Sequence, residues 1–307
     1  FDELEKYWKK FEFRKQHEEQ LESIGKSKKP KINAGLNFLF SKNTTAKNNY
    51  GYYGHTKPKA LSNYFGGITK KKIRRDYMDN NLLTTIDDSV PFVYFPLHQM
   101  PERELLIASP FNTNQIETIK HIAKSLPIGY RLFVKEHPSQ VTREWRDISF
   151  YEEILSIPNV QLLHYSIKSE DILKKCSLVI TIHGAVGLEA AIHKKPAIIF
   201  SDFFYSILPS VHRLQSIEEL PSAIRSSLRT KVHASDVDKF LNLLEENSID
   251  FDLFGFEVDY HNYFFNEGNI LNVEIDGEKV KQFIKKHESS FGMLADEFIK
   301  KMQKIEK

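Results

Sequence analysis

The middle of the chain alternates short apolar runs with stretches of helical periodicity. Helices are predicted at residues 112–126, 150–155, 169–175 and 186–193, the first of them capped by Asn112. Buried strands that alternate with helices are typical of a parallel sheet covered on both faces. The pattern therefore predicts a Rossmann-like α/β domain at residues 89–230. The five runs with the length of buried strands are Phe92–Leu97, Leu132–Val134, Val160–Leu163, Leu178–Ile182 and Pro196–Phe200.

The regions on either side of this domain are less regular. Residues 1–88 predict a helix from Phe1 to Ile24, followed by loops and short elements. Beyond Ser201 we predict helices at 216–228, 235–246 and 277–307, so residues 231–307 form a C-terminal helical region. An aromatic, irregular segment lies within that region, between Asp250 and Asn272. Because the chain begins at Phe1, without methionine and within a helical pattern, we expect the natural protein to begin further upstream.

The composition excludes several classes of protein. Hydrophobic residues make up 41% of the 307 residues, which is enough for a sizeable core. The chain has one cysteine, which excludes a disulfide framework and a multi-cysteine zinc site. No apolar run approaches the roughly 18 to 20 residues that span a bilayer. We therefore expect a cytoplasmic protein that is at most peripheral on the inner face of the membrane.

The charge is unevenly distributed. The formal net charge is +2, but residues 1–76 hold 18 basic and 8 acidic residues. Such a segment favours anionic partners, such as lipid headgroups or acidic glycans, but a solvated surface is the simpler explanation. For nucleic acid we find no aromatic platform and no recognition helix, so we predict none as a partner.

Ligands of an open parallel sheet bind beyond the carboxyl ends of its strands, which makes the loops after the strands the candidate site. These loops contain many of the histidine, glutamate and glycine residues of the domain. We expect the five loops to converge at one edge of the sheet, and this convergence is the main indication of a functional site. The five loops are Leu97–Glu102, Lys135–Pro138, His164–Ser169, Thr181–Glu189 and Ser201–Tyr205.

The loop at Thr181–Glu189 predicts a phosphate contact. Gly184 and Gly187 flank a turn into a helix, where backbone amides approach an anion without a Cβ between them. Glu189 follows in the first turns of that helix, where its carboxylate would accept hydrogen bonds from ribose hydroxyls. A tight turn that needs its glycines only for packing is the alternative.

Two further loops contain candidate side chains. Lys135 and His137 end a buried strand and both donate hydrogen bonds to phosphate. His98 and Glu102 are our candidates for orienting the sugar or transferring a proton, and the alternative is that they only hold their loop.

At these residues the sequence resembles bacterial capsule and surface polysaccharide biosynthesis proteins, which are related to the Kdo transferases of capsule assembly. The similarity covers roughly residues 91–220 and keeps the order and approximate spacing of the family's KEHP and G-x-x-G-x-E-A elements. The matching stretches are FPLHQMPE (Phe95–Glu102), LPIGYRLFVKEHPSQ (Leu126–Gln140), IPNVQLL (Ile157–Leu163) and TIHGAVGLEAAIHKKPAIIF (Thr181–Phe200).

The resemblance implies a glycosyltransferase of the two-domain GT-B type, whose C-terminal half binds the nucleotide sugar. In the Kdo branch the donor is a CMP-sugar, and the acceptor is a glycan or a lipid-linked glycan. Residues 1–88 would then be a remnant of the acceptor domain or a linker to it. Neither a cofactor nor a metal ion is expected. With His98 and Glu102 as catalytic candidates, the predicted donor-binding residues are Lys135, His137, Pro138, Thr181, His183, Gly184, Ala185, Gly187 and Glu189.

The sequence departs from the family where many relatives have Ser-Gly-Thr. This chain has His183, Gly184 and Ala185 there, so a hydroxyl contact to phosphate is lost or is supplied by Thr181. A catalytic carboxylate that the acceptor domain supplies in relatives has no counterpart that we can place.

Three other readings remain open. A CDP-glycerol-type polyol-phosphate transferase also uses a Lys-x-His-Pro-like element, and a nucleotide-sugar-binding module without catalysis would conserve the same loops. A metal-dependent GT-A transferase would need an Asp-x-Asp motif, which Asp250-Phe251-Asp252 matches, but this motif follows the strand series instead of lying within it.

Overall fold

The structure is a computed structural model that describes residues 1–10, 57–100, 104–137, 140, 146–265 and 275–305. Glu102 and Pro138 therefore lie outside the described residues. The contacts divide the chain into two compact units, one of Phe1–Lys10 with Gly67–Glu245 and one of Phe11–Gly66 with Glu246–Lys307. The domain boundaries predicted at residues 88 and 230 stay predictions.

The first unit contains a six-stranded parallel sheet with the strand order β3-β2-β1-β4-β5-β6. This is the strand order of a Rossmann fold, so the predicted fold class is confirmed. The strands are β1 (Phe92–Pro96), β2 (Arg131–Lys135), β3 (Val160–Leu163), β4 (Leu178–Thr181), β5 (Ala197–Ile199) and β6 (Val211–Arg213).

Helices lie before, between and after these strands. A π-helical turn at Glu104–Ala108 and a 3-10 turn at Pro110–Asn112 precede the third helix, and another 3-10 turn, Ile217–Glu219, precedes the seventh. The helices are α1 (Asp2–Lys10), α2 (Lys57–Asn81), α3 (Gln115–Ser125), α4 (Ile148–Leu155), α5 (Ser169–Lys175), α6 (Val186–Ile192), α7 (Leu220–Ser227), α8 (Ala234–Asn247), α9 (Leu253–Phe265), α10 (Gly277–Lys286) and α11 (Glu288–Ile305).

The sheet is buried on both faces because its strands are apolar at successive positions. Val93 and Phe95 of β1 pack into the core on one face, and Phe92 and Tyr94 pack into the core on the other. Residues of α2, α3, α4 and α7 cover the first face, and residues of α1, α5, α6 and α8 cover the second. Burial on both faces explains why these strands appear in the sequence as unbroken apolar runs.

The second unit, described at residues 57–66, 246–265 and 275–305, has a small aromatic core. Phe264 and Phe265 of α9 pack against Phe283 of α10, and all three side chains are buried. A break at His287 separates α10 from α11. The single helix predicted over residues 277–307 is therefore wrong, and so is the irregular segment predicted where α9 lies.

Other differences from the predictions have local causes. Asn112 is not the cap of α3, because the Asn114 side chain accepts the amide hydrogen bond of Glu117 while Asn112 lies in the preceding 3-10 turn. Strand β6 was not predicted, since it has only three residues and two of them, His212 and Arg213, are exposed. Helix α2 begins at Lys57, within a region predicted as loops.

No helix within the described ranges is long and apolar enough to cross a membrane.

Candidate functional site

The candidate site lies where the chain direction across the sheet reverses. The chain runs outward from β1 through β2 to β3 and then returns to β4 on the other side of β1. In such a sheet the loops after β1 and β4 diverge and leave a crevice at their carboxyl ends. The loop after β1 carries His98, and the loop after β4 carries His183 and Gly184.

His98 joins these two loops directly. Its Nε2 accepts a hydrogen bond from the backbone amide of His183 at 2.8 Å, and only 6% of the residue is exposed. Burial, and in second place the neighbouring basic groups of His137, Arg146 and His183, lower the pKa of His98 from 6.5 to about 4. The ring is therefore neutral near pH 7. Because Nε2 accepts, the ring proton is on Nδ1.

Two glutamine side chains fix the backbone of the His98 loop. The buried Gln115, at the start of α3, accepts from the His98 amide at 2.7 Å and donates to the His98 carbonyl at 3.1 Å. Gln140 makes the same pair of contacts with Met100, at 3.0 and 3.1 Å. Each carboxamide thus pairs with both polar groups of one loop residue, as a neighbouring strand would.

A buried ion pair links the loop after β2 to His98. Arg146 Nε lies 2.9 Å from Glu136 Oε2, and the Arg146 and Glu136 side chains are 6% and 0% exposed. The same carboxylate accepts hydrogen bonds from the Tyr151 hydroxyl at 2.7 Å and from the His137 amide at 2.7 Å. Arg146 also donates to the His98 carbonyl. Burial and the Glu136 charge raise the pKa of Tyr151 far above its usual range, so this hydroxyl stays a donor.

Glu136 and Arg146 were not among the predicted site residues. Glu136 could have been noticed, since a carboxylate directly after a buried strand needs a partner. Its partner lies ten positions further along the chain, and no local pattern identifies it.

Lys135 and His137, the predicted residues after β2 that the structure describes, have side chains in different parts of the unit. The buried ammonium of Lys135 is 3.2 Å from Ser169 Oγ at the start of α5, so it lies towards the loop that follows β3. His137 is close enough to His98 for its charge to affect that ring. The structure therefore brings His137 to the crevice and places the Lys135 ammonium beside α5.

The third loop has a structural histidine. The rings of His164 and Tyr165 are in contact, and His164 Nε2 lies 3.0 Å from Asp79 Oδ1 at the end of α2. This pair attaches α2 to the sheet.

The glycine turn after β4 is close to His98. A Cβ atom at position 184 would lie 3.4 Å from Thr181 Oγ1 and 3.6 Å from His98 Cε1, both ordinary contact distances. Thr181 is fully buried, and within the described part of the chain its hydroxyl has no hydrogen-bond partner. The same holds for Nε2 of Gln99, a buried residue beside His98 to which the sequence analysis gave no role.

Gly187 has a packing role. A Cβ there would lie only 2.5 Å from the hydroxyl oxygen of Tyr205, whose side chain is fully buried. The Tyr205 hydroxyl donates to the Gly184 carbonyl and so fixes the turn. Neither glycine has a positive φ, so close packing accounts for Gly187. Glu189 is half-buried in the first turn of α6, at the position expected for it.

The His183 side chain is held by Ser201, which follows β5. Its Nδ1 lies 2.8 Å from Ser201 Oγ, which itself donates to the Ile182 carbonyl at 3.0 Å. Since a hydroxyl has one proton, His183 Nδ1 is the donor of this pair. The His183 ring also packs edge-on against Phe203, with centroids 4.2 Å apart.

The Asp-x-Asp motif lies elsewhere and has a local contact. Asp252 accepts a hydrogen bond at 2.9 Å from the Gly255 amide in the first turn of α9, which is the geometry of a helix cap. Throughout the described ranges, no group of three or more His, Cys, Asp or Glu side chains is arranged to hold a metal ion.

Residues 40–231, more than half of the chain, match the family of capsule polysaccharide biosynthesis proteins. The chain belongs to this family. The match includes every strand of the sheet and all the loops of the candidate site. No curated protein matches this capsule polysaccharide biosynthesis protein.

Several solved structures are similar to this family member at low identity. The UDP-GlcNAc 2-epimerase of Methanocaldococcus jannaschii is 16% identical, with a TM-score of 0.36 over 58% of this chain and 50% of that one. The beta Kdo 2,4 transferase of Thermosulfurimonas dismutans KpsC is 13% identical, with a TM-score of 0.34 over 61% of this chain and 65% of that one. The corresponding values for the KpsC beta Kdo 2,7 transferase are 14%, 0.34, 59% and 62%. The chain thus spans about half the length of the epimerase.

Loss of the buried ion pair should be costly. In the Arg146→Met variant Glu136 stays buried without its counter-ion, so we expect the free energy of unfolding to fall by about 3 to 5 kcal/mol in urea denaturation. The matched control is Arg74→Met, which removes an ion pair to Asp147, whose side chain is 84% exposed. Its loss should be about 1 kcal/mol or less. Similar losses in the two variants would contradict the role of Arg146.

The two glycines of the turn should respond differently to alanine. Gly187→Ala forces the buried Tyr205 ring to move, and we expect it to lower the free energy of unfolding by about 1 to 3 kcal/mol. Gly184→Ala makes only ordinary contacts and should cost clearly less. Thermal or urea unfolding of both variants tests this, and equal stability would show that Tyr205 does not need the space.

The pKa of His98 predicts a loss of stability in acid. The unfolded chain takes up this proton near pH 6.5 and the folded protein near pH 4, so the unfolded state binds more protons between these values. The contribution of His98 is complete above pH 6.5 and declines as the pH falls, by about 2 kcal/mol at pH 5.

Urea unfolding at pH 7.5 and pH 5 measures this loss. The difference between the two pH values should be smaller in His98→Gln than in the unmodified protein. The comparison variant is His212→Gln, whose side chain is 43% exposed on β6, and its difference should be larger than that of His98→Gln. An unchanged difference in His98→Gln would show that the ring titrates normally in the folded protein.

Proposed function

We propose that this protein is a glycosyltransferase of the GT-B type in capsule polysaccharide synthesis, and that it binds a nucleotide sugar at the carboxyl ends of β1 and β4. One observation carries the proposal: the His183 amide donates to His98 Nε2 across the point where the strand order reverses, so the loops after β1 and β4 meet at the carboxyl ends of their strands. Open α/β sheets bind ligands at this point, and a nucleotide sugar would present its phosphates to the helix start that follows β4.

Hydrogen-bond donors at the crevice support the phosphate position. The first amide bonds of α6 are donated by Gly187 and Leu188, so the amides of Ala185 and Val186 precede the bonded part of the turn. The Thr181 hydroxyl has no partner among the described residues. A buried hydroxyl without a partner costs about 1 to 3 kcal/mol, and a phosphate oxygen would satisfy it. This hydroxyl replaces the one lost at Ala185.

The other predicted residues have roles beside the phosphate. His137 would donate to it, and Glu189 would accept hydrogen bonds from the ribose or the base. His183, oriented by Ser201, would form the wall of the crevice, and Lys135 would contribute its positive charge from beside α5. Glu102 and Pro138 keep the roles that the sequence predicts, towards the sugar and in the donor site.

The family resemblance supports a choice of donor and acceptor. The resemblance to Kdo transferases favours a CMP-linked sugar, transferred to a glycan or a lipid-linked glycan. Stabilisation of the leaving nucleotide would be electrostatic, because fixed amides and basic side chains oppose the negative charge that develops on the phosphate.

Calorimetric titration with CMP, UDP and GDP tests the donor site. We expect CMP to bind most tightly, with an affinity about tenfold or more weaker in His137→Ala, because a hydrogen bond to a charged group is lost. Glu189→Ala should weaken binding as well. His212→Ala, on the exposed edge of the sheet, is the control and should leave the affinity unchanged.

Unchanged affinity in both His137→Ala and Glu189→Ala would refute the site. Turnover assays then separate the enzymes: transfer from CMP-Kdo supports the proposal, and transfer from CDP-glycerol identifies a polyol-phosphate transferase. Binding without turnover of either would favour a module that has lost catalysis.

A further inference from the structure

Helix α11 exposes an apolar stripe along one side. Phe298, Ile299 and Met302 are 58%, 51% and 60% exposed, and the exposed Ala295 precedes them in the same helix. With 3.6 residues per turn, these four side chains fall within an arc of about 100° around the helix axis. The helical spacing itself therefore places them on one continuous face, which we call the apolar stripe.

The same side of α11 is covered where the helix begins. Phe291, four positions before Ala295, packs against Phe256 of α9, with ring centroids 5.7 Å apart. The stripe thus continues a contact of the aromatic core beyond the point where that core ends. Its three large side chains remain in water, which is unfavourable unless a partner covers them.

The charges of α11 change sign at the middle of the stripe. Residues 288–298 include three acidic residues and no basic one, whereas residues 299–305 include three basic residues and no acidic one. Asp296 and Lys300, one on each side of this point, are both exposed and lie four positions apart, on the same side of the helix. The helix therefore has an acidic half and a basic half.

This distribution of charge is complementary to itself when it is reversed. A second α11 that runs in the opposite direction places its basic half along the acidic half of the first, and its acidic half along the basic half. In a parallel pair each half would meet its own charge, which is repulsive. A lipid surface or a nucleic acid carries one sign of charge and would repel the acidic half.

We infer that α11 pairs with α11 of a second copy of this chain, in antiparallel orientation and through the apolar stripe. A two-fold axis between positions 298 and 299 sets Ala295 opposite Met302 of the partner subunit, so a small side chain faces a large one. It also sets Asp296 beside Lys300 of the partner subunit, and the symmetry repeats both contacts. The inference does not depend on the proposed donor site, because α11 contains none of its residues and follows the residues of the family match.

Sedimentation velocity of the full chain tests the pairing. We expect a monomer–dimer equilibrium with a dissociation constant on the order of 10 to 100 µM, because one helix from each copy buries less area than a stable interface. The double variant Phe298→Ser, Met302→Ser should weaken the dimer about tenfold or more, since each dimer loses four apolar side chains. The matched control is Ile107→Ser, Phe111→Ser, which removes side chains that are 70% and 97% exposed in the first unit and should leave the equilibrium unchanged.

The charges are tested by reversing one at a time. Asp296→Lys and Lys300→Glu should each weaken the homodimer about threefold to tenfold, because both symmetric pairs become repulsive. An equimolar mixture of the two variants should form a heterodimer about as tight as the original dimer, since every pair is again attractive. A mixture no tighter than either variant alone would contradict the pairing of Asp296 with Lys300.

Engineered cysteines test the orientation. The native Cys176 is fully buried and does not interfere. In an antiparallel pair, Ala295→Cys mixed with Met302→Cys should give a disulfide-linked heterodimer on mild oxidation. Met302→Cys alone should not, because its two cysteines lie about 10 Å apart along the axis, beyond the roughly 7 Å between Cα atoms that a disulfide spans.

Four outcomes would overturn the inference. They are a monomer at concentrations of about 200 µM, well above the expected dissociation constant, equal losses in the stripe variant and its control, disulfide links within Met302→Cys but none in the mixture, and stripe-dependent binding to phosphatidylglycerol vesicles without self-association. The last outcome would assign the apolar stripe to lipid. Nucleotide calorimetry on the stripe variant should be unchanged, which separates this test from that of the donor site.

Discussion

The hydrogen bond from the His183 amide to His98 Nε2 joins the two strands between which the site lies. In a sheet of this order the loops after β1 and β4 diverge, so the crevice between them has a fixed width only if something connects them. Here a side chain from one loop bonds to the backbone of the other at 2.8 Å. The bond needs an unprotonated Nε2, and the burial of His98 among basic groups ensures this at neutral pH.

The remaining contacts around the crevice support this bond. The carboxamide of Gln115 and the guanidinium of Arg146 both bond to the backbone of His98, so the backbone that carries the ring is held in place. Arg146 is held in turn by Glu136, whose carboxylate has three donors and is fully buried. A buried ion pair contributes little net stability, but it is costly to break. Such a pair is therefore better suited to fixing a geometry than to stabilising the fold.

The sequence predicted the parts of the fold that depend on local pattern. Strand β3 and helix α5 lie at the predicted residues. A strand that is buried on both faces is an unbroken apolar run in the sequence, and an amphipathic helix repeats its apolar residues at helical spacing, so both can be recognised from the residue types. Strand β6 and helix α9 are less evident from the sequence: β6 is a short edge strand with exposed His212 and Arg213, and α9 is only weakly amphipathic because apolar residues also lie outside its aromatic side. For the site, the loops could be predicted from the strand ends. The contact between His98 and His183 spans 85 positions, and the partnership of Glu136 with Arg146 likewise needs three-dimensional information.

The geometry of His98 also limits its chemical role. A general base needs a free lone pair on a ring nitrogen, yet Nε2 is occupied by the His183 amide and Nδ1 carries the proton. His98 is therefore a hydrogen-bond donor at Nδ1, and neither ring nitrogen is free to accept a proton while the bond from His183 is intact. The same neutrality suits it to a site already surrounded by basic groups, where another positive charge would be repelled. Glu102, the other catalytic candidate, lies outside the described residues, so its role in orienting the sugar or transferring a proton stays a prediction.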